Sequence, residues 1–286
     1  MDNNVIRIIN NTLFIQKLNN ISQEEINQII NEFFKTNIKL KSEINIIKFS
    51  NNIILNINNN ILNNFNNIET LIINNNTELS IHLNEKNISK IYITNNNIKT
   101  NRLKTELSLF NFELTNLEKL KTLYINNNNI SKITDNNVFS SLSQLEILNL
   151  SHNQLSIIDN TIFSSLLQLE TLNLSHNQLS IIYKNGFSSL FNLINLNLSD
   201  NQLTNILFTK LDTVEKFKLI NLKILNLNNN KIIINDFNTY CKILLSNLPN
   251  LIDLQIEDPQ LLNRFNDELV KIQDKRQQKK KVYITY

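Results

Sequence analysis

His152, His176 and Asp200 recur at a spacing of 24 residues (176−152 and 200−176). Two imidazoles and a carboxylate can hold a transition metal or relay a proton when folding brings them together. The words around them repeat as well: Ser-His-Asn-Gln-Leu at 151–155 and 175–179, then Ser-Asp-Asn-Gln-Leu at 199–203. Internal duplication copies a histidine along with its neighbours, so the column needs no ligand to account for it, and no metal site is assigned. Cys241 is the only cysteine, so no disulfide can form within the chain. With no histidine beside it, it reads as a small apolar residue rather than a nucleophile. A single glycine leaves no room for a phosphate-cradling loop. There is no His/Cys ligand spacing, no Ser-His-Asp order with context and no pair of facing carboxylates. The chain reads as a non-enzyme with no catalytic residue, no cofactor and no small-molecule substrate.

The spacing of those polar residues is set by an apolar frame. Leu145, Leu169 and Leu193 lie 24 residues apart. Leu148, Leu172 and Leu196 follow each by three, Leu150, Leu174 and Leu198 by five, and Asn153, Asn177 and Asn201 by eight. Leu155, Leu179 and Leu203 close the motif L-x-x-L-x-L-x-x-N-x-L. A fixed period in this range marks a stack of short units that bury one continuous core. The frame continues outward from Ile44, Ile68, Ile88 and Leu120 on one side and from Leu222 and Leu251 on the other. That makes about nine coils. Irregular spacing places insertions at 99–119 and 207–219, with Phe110, Phe112 and Leu114 burying the first and Leu211, Val214 and Phe217 forming a helical bulge in the second.

Numbering each coil from its first leucine, positions 3–7 form a strand with 4 and 6 inward and 3, 5 and 7 outward. The Asn at position 9 satisfies buried backbone groups where the chain turns out of the sheet, which an apolar side chain cannot do. Phe163 and Phe187, with Leu166 and Leu190, close the opposite side. The motif resembles the leucine-rich repeat family, in its 24-residue type. The resemblance implies an α/β solenoid, curved, with a parallel β-sheet on the concave face, capped at both ends, and a non-catalytic role binding a protein partner through that face.

The outward strand positions are therefore the candidate contact surface. Position 5 reads Lys48, Ile72, Tyr92, Tyr124, Asn149, Asn173, Asn197 and Asn226, and position 3 includes Lys90. Tyrosine and apolar anchors dominate interface energetics, so the patch is centred on Ile72, Tyr92 and Tyr124, with Lys48, Lys90, Asn149, Asn173 and Asn197 around it. The alternative is that aromatics merely suit an exposed β-strand.

Residues 1–43 read as an N-terminal cap. Two strand-like runs flank Asn10-Asn11, a hairpin signal. Ser22 and Glu25 then make a capping box for a helix with Ile26, Ile29, Ile30, Phe33 and Phe34 on one face. Repeats run over 44–256. Residues 257–286 read as a cap helix at about 260–273 and a basic tail. Tyr240, Leu244 and Leu248-Pro249-Asn250-Leu251 resemble the cap of intracellular leucine-rich repeat proteins, although Gln255 stands where that cap usually has Asp.

The net charge is +3 (28 − 25), too mild to imply a nucleic-acid partner for the whole chain. Lys275, Arg276, Lys279, Lys280 and Lys281 read as a solvated chain end, with nuclear import or RNA contact as the alternatives. No apolar run reaches the roughly 18–20 residues that span a bilayer, and the first residues do not read as a signal peptide. The expected location is cytoplasmic. The 59 asparagines and absence of alanine point to A/T-biased coding, so an Asn carries information only where its position recurs. Narrower roles compatible with the resemblance are a regulatory or targeting subunit of a phosphatase or ubiquitin ligase, and a viral mimic or decoy of immune leucine-rich repeat receptors.

Overall fold

The computed structural model describes residues 5–16, 23–35, 41–51, 54–58, 62, 65–76, 78–84, 87–96, 106–107, 112–115, 117–133, 136–159, 161–183, 185–204, 219–233, 244, 247–257, 263 and 267. The chain divides into two compact units, Met1–Asn149 and Leu150–Tyr286.

The first unit opens with β1 (Val5–Ile9) and β2 (Thr12–Gln16), followed by α1 (Gln23–Lys35). Asn10 and Asn11 turn the hairpin with φ of 46° and 60°, the left-handed pair that two-residue hairpin loops require. The helix buries Ile26, Ile30 and Phe34, each four residues after the last, and its first turn carries Glu24 and Glu25 against the positive end of the helix dipole. Ile29 and Phe33 are half-buried. Phe34 meets Phe65 edge to face at 5.6 Å between ring centres.

After the helix the strands are β3 (Ile46–Ser50), β4 (Ile54–Asn58), β5 (Thr70–Asn74), β6 (Glu78–Asn84) and β7 (Lys90–Thr94). Then come β8 (Glu106–Leu107), β9 (Phe112–Thr115), β10 (Thr122–Tyr124), β11 (Lys132–Ile133) and β12 (Ile147–Asn149). The main sheet runs β1-β2-β3-β5-β7-β10-β12. Only its first pair is antiparallel; β2 joins β3 in parallel, Leu13 opposite Ile47 and Ile15 opposite Phe49. The hairpin thus supplies a strand in the register of the repeats. A second parallel sheet, β4-β6-β9, follows the turns, and no signal in the sequence separated it from ordinary loop.

The second unit continues with β13 (Ile157–Ile158), β14 (Thr171–Asn173), β15 (Ile181–Ile182), β16 (Asn195–Asn197), β17 (Ile224–Asn226) and β18 (Asp253–Gln255). β14, β16, β17 and β18 pair in parallel, with Leu172, Leu196, Leu225 and Leu254 inward. In both units the frame residues form the core: Leu71, Ile91, Leu123, Leu172 and Leu196 are fully buried. Phe163 and Phe187 stack 6.2 Å apart behind the sheet. Gly186, the sole glycine, sits where an added methyl would come within 3.2 Å of the Tyr183 carbonyl and 3.3 Å of Ile158 and Ile182.

The position 9 asparagines form ladders of two kinds. In the first unit the Asn76 backbone N–H and side-chain amide both donate to Asn96 Oδ1 (3.0 and 2.8 Å), and Asn96 does the same to Asn128 Oδ1 (2.9 and 3.2 Å). In the second unit the amide oxygen reaches two residues further along the preceding coil. Asn177, Asn201 and Asn230 accept from the backbone N–H of Leu155, Leu179 and Leu203 at 2.9–3.0 Å. Each Nδ2 there donates to three backbone carbonyls; for Asn177 these are Leu150, Leu174 and Ser175. Buried backbone is thereby satisfied coil by coil, as position 9 requires.

Position 7 departs from the expected alternation. Ser50, Ser151, Ser175 and Ser199 are buried rather than outward, whereas Asn74, Thr94, Asn126 and Asn228 at the same position are half-buried. Phe110, residues 207–218, Tyr240, Cys241, most of the expected helix at 260–273 and the tail from Lys275 to Lys281 lie outside the described residues.

Candidate functional site

Each repeat strand from β3 to β17 of the main sheet is followed by a residue in left-handed conformation. Position 8 is Asn51, Asn75, Asn95, Asn127, His152, His176, Asp200 and Asn229, with φ between 51° and 58° throughout. Glycine adopts this region freely, and Asn, Asp and His are the other residue types enriched there. With one glycine in the chain, the position falls to those three types. The histidine column therefore meets a backbone requirement before any chemical one.

His152 and His176 stack with ring centres 4.1 Å apart. His176 Nε2 lies 3.4 Å from Asp200 Oδ2, and Asn229 Nδ2 donates to Asp200 Oδ1 at 2.8 Å. Burial, and then the neighbouring His176, hold the His152 imidazole below its ordinary pKa, while Asp200 pulls the other way. Among the described residues no three His, Cys, Asp or Glu side chains are grouped to hold a metal ion.

The outward face of the first unit is different in kind. The register sets Phe14 opposite Lys48, Lys48 opposite Ile72, Ile72 opposite Tyr92, Tyr92 opposite Tyr124, and Tyr124 opposite Asn149. These side chains stand in one row, half-buried against each other. The Tyr92 and Tyr124 rings are 5.1 Å apart and tilted by 32°. Arg7, opposite Phe14 on β1, lies over the Phe14 ring at 5.1 Å, and Lys48 Nζ over the same ring at 5.8 Å. Lys90 is exposed in the neighbouring row, between Thr70 and Thr122.

In the second unit the corresponding row is Asn173, Asn197 and Asn226. Each amide oxygen accepts from the backbone N–H two residues on, at 3.0 Å: Ser175, Ser199 and Asn228. The amide groups are thus oriented by their own strands, and this row carries no aromatic residue.

A leucine rich repeat family model matches residues 118–179 and 144–203. A crystal structure of a TLR13–ssRNA13 complex superposes with a TM-score of 0.55 at 22% identity, over 85% of this chain and 35% of that one. Residues 118–203 carry leucine-rich repeats, and the fold is that of a leucine-rich repeat solenoid. The chain spans about a third of the length of the TLR13 chain it matches, and at that identity the likeness concerns the fold. No curated protein sequence matches the chain. No helix among the described residues is long and apolar enough to cross a membrane.

Within this repeat protein the expected surface residues occupy the expected side of the sheet. Lys48, Ile72, Tyr92, Tyr124 and Asn149 form one row, Lys90 flanks it, and Asn173 and Asn197 belong to the separate amide row. Phe14 and Arg7 were missed. Their signal was present, since Leu13-x-Ile15 has the spacing of positions 4 and 6, which leaves Phe14 outward. It is hidden because the hairpin has neither the leading leucine nor the position 9 asparagine of a repeat.

Proposed function

We propose that the protein is a non-catalytic binding module whose partner is another protein, held on the outward, concave-type face of the repeat sheet. The observation that carries this is the row Phe14, Lys48, Ile72, Tyr92 and Tyr124. Beside a row that reads Thr12, Ile46, Thr70, Lys90, Thr122 and Ile147, it gathers aromatic and apolar side chains in one line. Such residues form the anchors of protein interfaces, with large contact area and few rotamers to freeze. The ladder of Asn76, Asn96 and Asn128 serves the scaffold behind this row.

The test is the double substitution Tyr92→Ala and Tyr124→Ala, with folding checked by circular dichroism, followed by affinity purification from the native cell. The reading expects specific partners of the wild type to be lost. Unchanged partners would remove it. The identity of those partners also separates the narrower roles: an enzyme such as a phosphatase or ligase, or a component of immune signalling. RNA in the eluate would instead align the protein with the nucleic-acid binding that the TLR13 complex displays.

A further inference from the structure

We infer that the partner of this face is acidic, an extended protein segment bearing carboxylates, and that the N-terminal hairpin is part of its site. The inference rests on the binding role proposed above and adds the partner's chemistry. Taken together, the outward residues of β2, β3, β5, β7, β10 and β12, with Arg7 of β1, include Arg7, Lys48 and Lys90 and not one Asp or Glu. None of the three cations is ion-paired with a described residue. Arg7 and Lys48 are held instead by the Phe14 ring, which fixes their position without neutralising them. The nearest carboxylates in these segments, Glu69 and Glu146, stand just before their strands, and Glu146 is bound to Lys121 at 2.6 Å. A whole chain of mild net charge thus presents a face of one sign, the pattern that steers an oppositely charged partner.

Nucleic acid would also seek cations beside aromatic rings. Single strands bind such surfaces by stacking bases on ring faces, and here those faces are engaged. Tyr92 and Tyr124 lie against each other, and Phe14 carries two cations. What remains outward are cationic heads, ring edges and hydroxyls, which suit carboxylates and apolar side chains. Strands about 4.8 Å apart place Lys48 and Lys90 rows roughly 10 Å from each other, and Arg7 about 24 Å from Tyr124. An extended segment of about seven residues covers that length, with carboxylates about four residues apart, on the same side of the segment, meeting Lys48 and Lys90.

A phage-displayed library of random nine-residue peptides, selected on the intact protein, reads this directly. Peptides enriched on the wild type are expected to be rich in Asp and Glu. Their recovery is expected to fall about tenfold or more on Lys48→Glu/Lys90→Glu and to weaken with added salt. Arg7→Glu is expected to act in the same direction. Thermal melting checks that each variant is folded. Enriched peptides that are neutral or basic, or acidic peptides recovered equally on the charge-reversed protein, overturn the proposal, as does displacement by a twelve-residue oligothymidylate. Recovery lost with Tyr92→Ala/Tyr124→Ala but indifferent to charge reversal leaves the binding role standing and removes only the acidic partner. Indifference to both sets of substitutions removes both.

Discussion

Replacing Asn177 by alanine isolates what the position 9 ladder contributes. Asn177 is 7% exposed and makes four contacts to backbone. Three are donations from Nδ2, to the carbonyls of Leu150, Leu174 and Ser175 at 3.0–3.2 Å. Each of those carbonyls has a second partner: Asn153 for Leu150, Asn201 for Leu174, and the His152 N–H for Ser175. The fourth contact has no substitute. The N–H of the fully buried Leu155 donates to Asn177 Oδ1, and alanine leaves it orphaned. An unsatisfied buried donor costs about 1–3 kcal/mol. The weaker carbonyl contacts and the vacated side-chain volume bring the expected loss to roughly 2–4 kcal/mol. For a chain of this size that is a fall in Tm of about 3–7 °C. Urea unfolding followed by circular dichroism gives the free energy. Asn177→Asp sharpens the test, because it keeps an acceptor for Leu155 but turns an acceptor toward three carbonyls. At neutral pH it is expected to be worse than alanine, recovering relative to alanine as the pH falls and the carboxyl protonates. A loss below about 1 kcal/mol for alanine, or an aspartate variant as stable as wild type, would refute the ladder as a stabilising element.

Three further outcomes follow from the geometry. At Asn95, with φ of 56°, substitution by valine is expected to cost about 1–3 kcal/mol while glycine stays near or above wild-type stability; equal effects in urea unfolding would contradict the backbone explanation of position 8. His152 has its pKa lowered by folding, so the unfolded chain takes the proton more readily, and stability falls as the pH drops below about 6.5 through the folded value. His152→Asn retains a residue suited to the left-handed site, and its Tm is expected to change less than that of wild type between pH 7 and pH 5. Gly186→Ala is expected to destabilise by about 1 kcal/mol, because the Tyr183 carbonyl is backbone and yields little; an unchanged melting temperature would show that Ile158 and Ile182 absorb the methyl.

The sequence alone determined the coil. Leucines at positions 1, 4, 6 and 11 and asparagine at 9 dictate which side chains face inward, and the structure buries them as the period requires. The same period made the outward row readable at Lys48, Ile72, Tyr92 and Tyr124. The hairpin and the helix buried through Ile26, Ile30 and Phe34 were legible too, since turn chemistry and a 3.6-residue stripe are local signals.

Other features arise between coils and could be settled only by folding. That β2 extends the sheet, bringing Phe14 and Arg7 onto the contact row, depends on docking rather than on any repeat in the hairpin. Whether a position 9 amide accepts from position 9 or position 11 of the preceding coil depends on the path of that neighbour. The left-handed backbone at position 8 explains the histidines, yet it is invisible in a sequence where Asn is everywhere. A period reports the environment each residue must satisfy within its own coil. Partners on the neighbouring coil, and strands lacking the motif, are chosen by tertiary packing.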